Sequence, residues 1–276
     1  MIKGFDLDAF VAATLAEDMG HGGDLTSAAV IPADAALVAV MVSRDAVVVA
    51  GLDIAAAFFR ALDPAVEVEQ LVAEGTAVPV GTPIMRLAGN ARALLTAERS
   101  ALNTVQHLTG IATLTRRYVD AIAGTGAILL DTRKTLPGLR LIEKYATRMG
   151  GATNHRLRLD DGVMIKDNHI AVAGGVTEAV QAAKAAGLTG IVVEVDRIDQ
   201  IEPALAAGAD RLLLDNMAVP VLHAAVELIA GRVPTEASGG VNLDTIRAIA
   251  QTGVTFISVG RLTQSAPAAD IGLDYA

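Results

Sequence analysis

The 276-residue chain has no cysteine and no tryptophan, and only 3% of its residues are aromatic. Without cysteine there are no disulfides, no thiolate metal sites and no cysteine nucleophile. So few aromatic rings argue against a base-stacking platform for nucleic acid. Basic residues are also in short supply: 22 Lys and Arg stand against 31 Asp and Glu, a formal net charge of −9. Nucleic acid and anionic membranes both select positive surfaces, so neither is expected as a partner. Uninterrupted apolar runs are short as well. The strongest, such as residues 46–50, are of strand length, far from the roughly 18–20 residues that span a bilayer. The first ten residues carry Asp6 and Asp8 and no apolar core of signal-peptide type. The expected setting is the cytoplasm.

What is present in quantity is apolar: 52% of residues, against 19% charged. That is ample for a large core and argues against global disorder. The pattern changes near residue 107. Before it, short apolar stretches at 37–42, 46–50, 66–72 and 84–87 read as strands broken by Pro32, Pro64, Pro79, Pro83, Gly75 and Gly81. Helical patterns sit at 8–18 and 51–62. A longer one runs from 91 to about 123, with Gly110 expected to break it in two. Residues 1–107 are thus expected to form an α+β domain. Residues 108–265 form a second domain, with the tail, residues 266–276, packing back on the first.

The second domain has a rhythm. Strand candidates fall at 127–132, 154–159, 163–166, 190–195, 211–215, 234–238 and 256–260, with helical patterns between the last four. Starts at 190, 211, 234 and 256 recur every 21–23 residues. Apolar strands alternating with helices imply parallel β/α units buried on both faces. Seven strands fit either a barrel or a doubly wound sheet.

Polar residues collect at the ends of these strands. Arg133 and Lys134 follow the first, and His155 and Arg156 lie in the second. Lys166 closes the third, Glu194 the fourth and Asp215 the fifth. Ser238, Gly239 and Gly240 follow the sixth, and Gly260 the seventh. Parallel β/α folds bind ligands at the C-terminal ends of their strands, so one shared site accounts for all of them. Residues 133–166 hold eight basic and three acidic residues inside an acidic chain. Arg140, Lys144 and Arg148 stand at helical spacing, either as an anion-binding stripe or cationic rim, or as a solvated face or partners of acids elsewhere. Guanidinium groups bind carboxylates and phosphates through paired hydrogen bonds, so converging arginines imply a ligand with several anionic groups. Glu194 and Asp215 bring negative charge to the same rim. They suit Mg²⁺ held with a polyphosphate, sugar hydroxyls, or a positive charge developing on the substrate. Glycine-bearing turns at the last two strands match a phosphate site frequent in β/α barrels.

These residues, read in order, resemble the quinolinate phosphoribosyltransferase family, the carboxylating nicotinate-nucleotide pyrophosphorylases. The resemblance covers nearly the whole chain. It rests on Gly23-Asp24-Leu25-Thr26, Leu95-Thr96-Ala97-Glu98-Arg99, Asp131-Thr132-Arg133-Lys134-Thr135, Asn154-His155-Arg156, Ile165-Lys166-Asp167-Asn168-His169, Leu214-Asp215-Asn216 and Ser238-Gly239-Gly240. It implies an N-terminal α+β sandwich and a C-terminal seven-stranded open α/β barrel of TIM-like type. It also implies quinolinate and phosphoribosyl pyrophosphate as substrates, Mg²⁺ as cofactor, and a homodimer or higher homo-oligomer. In that scheme Arg133, His155, Arg156 and Lys166 bind the quinolinate carboxylates, helped by Arg99 from a neighbouring subunit. Lys134 and Lys166 face the phosphorylated ribose and pyrophosphate. Glu194 and Asp215 hold Mg²⁺ and the ribose and stabilise the reacting carbon. Lys134, Ser238, Gly239 and Gly260 hold phosphate. Arg158, Arg261 and Gln264 depart from the family's usual residues, which keeps open a related protein of the molybdenum-transport type with another substrate. A Schiff-base aldolase using Lys166 is the rival enzyme. A lipoyl or biotin carrier at residues 74–87 is excluded, because no lysine lies between Lys3 and Lys134.

Overall fold

The computed structural model describes residues 2–275. In chain order it forms α1 (Leu7–Met19), α2 (Leu25–Val30), β1 (Ala36–Ser43), β2 (Val47–Val48), α3 (Leu52–Leu62), β3 (Glu67–Gln70), β4 (Ala77–Val78), β5 (Pro83–Asn90) and α4 (Ala91–Ala121). Then come β6 (Ile128–Leu130), α5 (Arg140–Gly150), β7 (Met164–Ile165), α6 (Asp167–Ala173), α7 (Val176–Ala185), β8 (Val192–Val195), α8 (Ile201–Ala207) and β9 (Arg211–Asp215). The chain ends with α9 (Val219–Ile229), β10 (Thr235–Ser238), α10 (Ile246–Ala250), β11 (Phe256–Ser258), α11 (Arg261–Gln264) and β12 (Ile271–Tyr275). It divides into two compact units. One takes in the chain up to Arg116, Leu141–Gly151 and the segment from Ser265. The other takes in Arg117–Arg140 and Ala152–Gln264.

The first unit is built on an antiparallel sheet of order β12-β1-β5-β3. Alternate residues of β1, among them Ala39 and Met41, are buried, as a sheet with one covered face requires. β12 comes from the far end of the chain and pairs with β1 from Ala39↔Tyr275 to Ser43↔Ile271. The expected break at Gly110 does not occur, and α4 runs unbroken for 31 residues. Gly110 has a different task there. A Cβ at this position would lie 2.0 Å from the carbonyl oxygen of Pro267, so glycine lets the returning tail press against the helix. That close approach offsets the roughly 1 kcal/mol by which glycine weakens a helix interior relative to alanine.

The second unit carries a parallel sheet of order β6-β11-β10-β9-β8-β7, consistent with a TIM-like barrel. Its strands are short and apolar in the middle. In β9, Leu212, Leu213 and Leu214 are buried while Arg211 and Asp215 at the two ends are half-exposed. The expected second strand, at 154–159, is replaced by irregular backbone with a single bridge, Thr153 to Leu130. Its apolar and polar residues alternate, but side chains rather than a partner strand satisfy its backbone. Asp131 accepts from the amide of His155 at 2.8 Å, Asp161 accepts from those of Leu157 and Arg158, and Arg140 donates to the carbonyl of Leu157 at 3.1 Å. Because all six strands run the same way, their C-terminal ends share one edge, where the charged residues gather.

Candidate active site

A cavity of about 650 Å³ opens at that edge of the second unit. Arg133, Lys134, His155, Arg156, Lys166, Glu194, Asp215, Ser238, Gly239 and Gly260 all line it. Seven strand ends and loops therefore do converge on one space. Arg99 belongs to the first unit and is exposed on α4.

The cationic wall comes from the loop after β6 and from the irregular segment beyond α5. The Nε of Arg133 is buried and has no hydrogen-bond partner among the described residues. Arg156 donates from Nη1 to the carbonyl of Gly162 at 2.8 Å. Burial, and then the nearby positive charge of Arg133, hold the Arg156 guanidinium below its ordinary value. Two guanidinium groups held together in a partly desolvated place make an electropositive wall suited to an anion. Lys134 is fixed through its backbone, its N–H donating to Thr132 Oγ1 at 3.0 Å and its carbonyl accepting from Thr263 Oγ1 at 2.6 Å. Its stem passes over Gly260, where a Cβ would come within 2.7 Å of Lys134 Cδ. The Arg140, Lys144 and Arg148 stripe does not line the cavity. Lys144 is only 1% exposed, so the three do not share a solvated face, and none of them forms a rim of the cavity.

The opposite wall is acidic. Glu194 ends β8 and forms an ion pair with Lys166, which follows β7. Asp215 ends β9, adjacent to β8, and accepts from Asn216 Nδ2 at 2.6 Å. Asn216 is held at φ 54°, and its N–H donates to the carbonyl of Ser238 at 2.9 Å. It packs against Gly239, which has φ 90°. A Cβ on Gly239 would meet Asn216 Oδ1 at 2.1 Å. Helix α10 begins at Ile246, after a turn in which Asn242 Oδ1 accepts from the N–H of Asp244 and Thr245. The glycine turn, not a long helix, therefore borders the cavity here. Among the described residues no three His, Asp or Glu side chains form a metal cage.

Glu236 is the lining residue that the strand-end pattern does not single out. It lies inside β10 and its side chain is 0% exposed. Oε2 stands 3.3 Å from Arg211 Nη1 and 3.4 Å from His155 Nε2. Burial alone would raise its carboxyl. The hydrogen bond and charge of His155, with Ser258 and Arg211, outweigh it and hold the group below its ordinary value. A carboxylate inside a buried strand is costly without partners, and that cost is the signal by which the sequence could reveal it.

Profiles of the quinolinate phosphoribosyl transferase N-terminal and C-terminal domains match residues 24–109 and 111–274. The chain belongs to the quinolinate phosphoribosyl transferase family. The carboxylating nicotinate-nucleotide pyrophosphorylase of Mycobacterium leprae is 44% identical to it, over 94% of this chain and 94% of the relative. The chloroplastic one of Arabidopsis thaliana is 43% identical, over 98% of this chain and 82% of the relative. The structure of the nicotinate-nucleotide pyrophosphorylase from Francisella tularensis matches with a TM-score of 0.93 at 40% identity, covering 98% of this chain and 96% of that one.

Proposed function

We propose that this chain transfers the phosphoribosyl group of phosphoribosyl pyrophosphate to quinolinate and releases carbon dioxide, giving nicotinate mononucleotide and pyrophosphate. The observation that carries the proposal is the pairing of Arg133 and Arg156 in one cavity, with Arg133 Nε buried and unpartnered. A pyridine dicarboxylate offers two acceptors suited to such a pair. The pyridine nitrogen attacks the anomeric carbon as the bond to pyrophosphate breaks, with its electron pair leaving on the pyrophosphate oxygen. The bond from the ring to the adjacent carboxylate then breaks. Its electrons are drawn into the pyridinium, and the ring carbon takes a proton.

Lys134 and Lys166 face the phosphates, and Ser238, Gly239 and Gly260 border the 5′-phosphate. Glu194 and Asp215 stabilise positive charge on the sugar carbon. The same two carboxylates suit Mg²⁺, which takes one or two protein carboxylates and completes its shell with water and substrate phosphates. When bound, it neutralises charge on the departing pyrophosphate. Positioning and electrostatics supply the catalysis, with no covalent enzyme intermediate. Arg99 delivered from a second copy in a homodimer, and a cytoplasmic setting, belong to the same proposal.

The rival use of Lys166 as a Schiff-base nucleophile fits poorly. Its side chain is 44% exposed and ion-paired with Glu194, whereas such lysines work from desolvated pockets.

Incubation with quinolinate, phosphoribosyl pyrophosphate and Mg²⁺ tests the assignment. Nicotinate mononucleotide and carbon dioxide are expected in equal amounts. Turnover of nicotinate but not quinolinate would overturn it.

A further inference from the structure

The segment carrying His155 and Arg156 has no strand partner beyond Thr153, so something other than a β-ladder must aim its side chains. Asp131 ties it from one side, accepting from Asn154 Nδ2 at 2.6 Å and from the His155 N–H at 2.8 Å. From the barrel interior the contact is Glu236. Its Oε2 lies 3.4 Å from His155 Nε2, while His155 Nδ1 accepts the backbone N–H of Arg156 at 2.7 Å. Nδ1 can accept only when it carries no proton, so the ring proton sits on Nε2, facing the carboxylate.

We infer that Glu236 is a positioning residue for quinolinate recognition, acting through the imidazole of His155 on the backbone of Arg156. The relay resembles the way a buried carboxylate fixes the tautomer of a metal-ligating histidine. Glu236 is itself anchored. Arg211 reaches it at 3.3 Å from the start of the neighbouring strand, and its guanidinium stacks on Phe256 with 4.2 Å to the ring centroid. Arg211, Glu236 and Phe256 come from β9, β10 and β11, which are hydrogen-bonded neighbours. The rigid sheet thereby sets the orientation of a segment that has almost no sheet bonding of its own. It follows that His155 serves quinolinate less as a free donor than as a spacer, because both ring nitrogens face protein groups.

The inference rests on the quinolinate assignment, and its test separates the two. In wild-type protein, turnover of quinolinate checks the assignment alone. Glu236→Gln keeps the shape but removes the negative charge that faces His155 and Arg211. It is expected to raise KM for quinolinate at least tenfold and leave KM for phosphoribosyl pyrophosphate within twofold. In a His155→Ala background the same change is expected to add less than twofold, because the relay is already cut. A merely structural role would change both KM values together, or multiply with His155→Ala, and either result overturns the inference. A second measurement needs no Glu236 variant. Nitrogen-15 NMR of wild-type protein at pH 8, with the His155 signal assigned by its loss in His155→Ala, is expected to show a proton on Nε2 and none on Nδ1. A proton on Nδ1 would overturn the relay whatever the kinetics.

Discussion

Arg133 offers a perturbation in which stability and activity should move in opposite directions. Its Nε–H is buried without a partner among the described residues. An unmade hydrogen bond of this kind costs about 1–3 kcal/mol in desolvation. Its charge also bears on Arg156, whose guanidinium is held below its ordinary value by burial first and by Arg133 second. The backbone carbonyl of Arg133 accepts from the N–H of Thr135 at 3.0 Å, a bond that does not involve the side chain. Arg133→Met keeps the stem's packing and removes both penalties. The unliganded variant should be as stable as the parent or more so. One kcal/mol corresponds to about 2–4 °C in Tm for a chain of this size, so a rise of a few degrees is expected. For quinolinate the change deletes a forked contact. Charged hydrogen bonds contribute about 1.5–3 kcal/mol each, so two lost bonds cost at least about 3 kcal/mol. At 1.36 kcal/mol per factor of ten, kcat/KM should fall by roughly 10² or more. Calorimetry of the unliganded protein and steady-state kinetics are the assays. A fall in Tm of 4 °C or more would show Arg133 to be structural, and kcat/KM within threefold of the parent would remove it from the site.

Gly239→Ala combines a left-handed φ of 90° with a Cβ 2.1 Å from Asn216 Oδ1 and 2.9 Å from Asn216 N, so side-chain rotation cannot relieve it. It should cost more than the roughly 1–2 kcal/mol of the backbone conformation alone and raise KM for phosphoribosyl pyrophosphate; a parental urea midpoint together with an unchanged KM would contradict this. Glu74 accepts from the N–H groups of Gly51 and Leu52 at the start of α3, and burial raises its carboxyl above the ordinary 4.5. The folded state therefore holds a proton there that the unfolded chain has released, so this group's contribution to stability falls as pH rises from 4.5 through the folded value, by at most about 1.4 kcal/mol per pH unit. Urea unfolding of Glu74→Gln across pH 4.5–7 should lack that decline, and identical slopes in both proteins would refute it. Glu194→Gln releases Lys166 from its ion pair, so kcat should drop by at least about 10² while KM for quinolinate stays level or falls, the pattern of an interaction made mainly in the transition state. A raised KM with normal kcat would point to simple substrate binding.

The β/α rhythm of the second unit was legible because β8 to β11 are buried on both faces and read as apolar runs at regular spacing. The cavity was legible for the same reason, since residues at the ends of parallel strands must share an edge. Long-range events left weaker marks. β12 has no local signal that it pairs with β1 across more than 200 residues of chain. Gly110 has the form of a helix breaker, yet the reason for it lies in Pro267, far away in sequence. Asn154 to Leu159 has the composition of a short strand, but its consecutive His155 and Arg156 both line the cavity and side chains hold its backbone. Glu236 was hidden by position: it lies within its strand rather than at the end, where chemistry is sought first.

Charge balance explains why an acidic chain can hold two anionic substrates. Arg133, Lys134, Arg156 and Lys166 line one cavity, and like charges so placed repel and resist desolvation. Glu194 offsets Lys166 directly, and Glu236 offsets the Arg211 and His155 side of the barrel. Arg133 and Arg156 lie together in the cavity, and paired guanidinium groups suit a dicarboxylate. A site that was uniformly positive would hold quinolinate and phosphoribosyl pyrophosphate tightly but oppose the positive charge that grows on the sugar as they react. In the proposed reaction, Glu194 within β8 and Asp215 at the end of β9 would reverse that opposition where the charge appears, lowering the barrier rather than deepening the ground state.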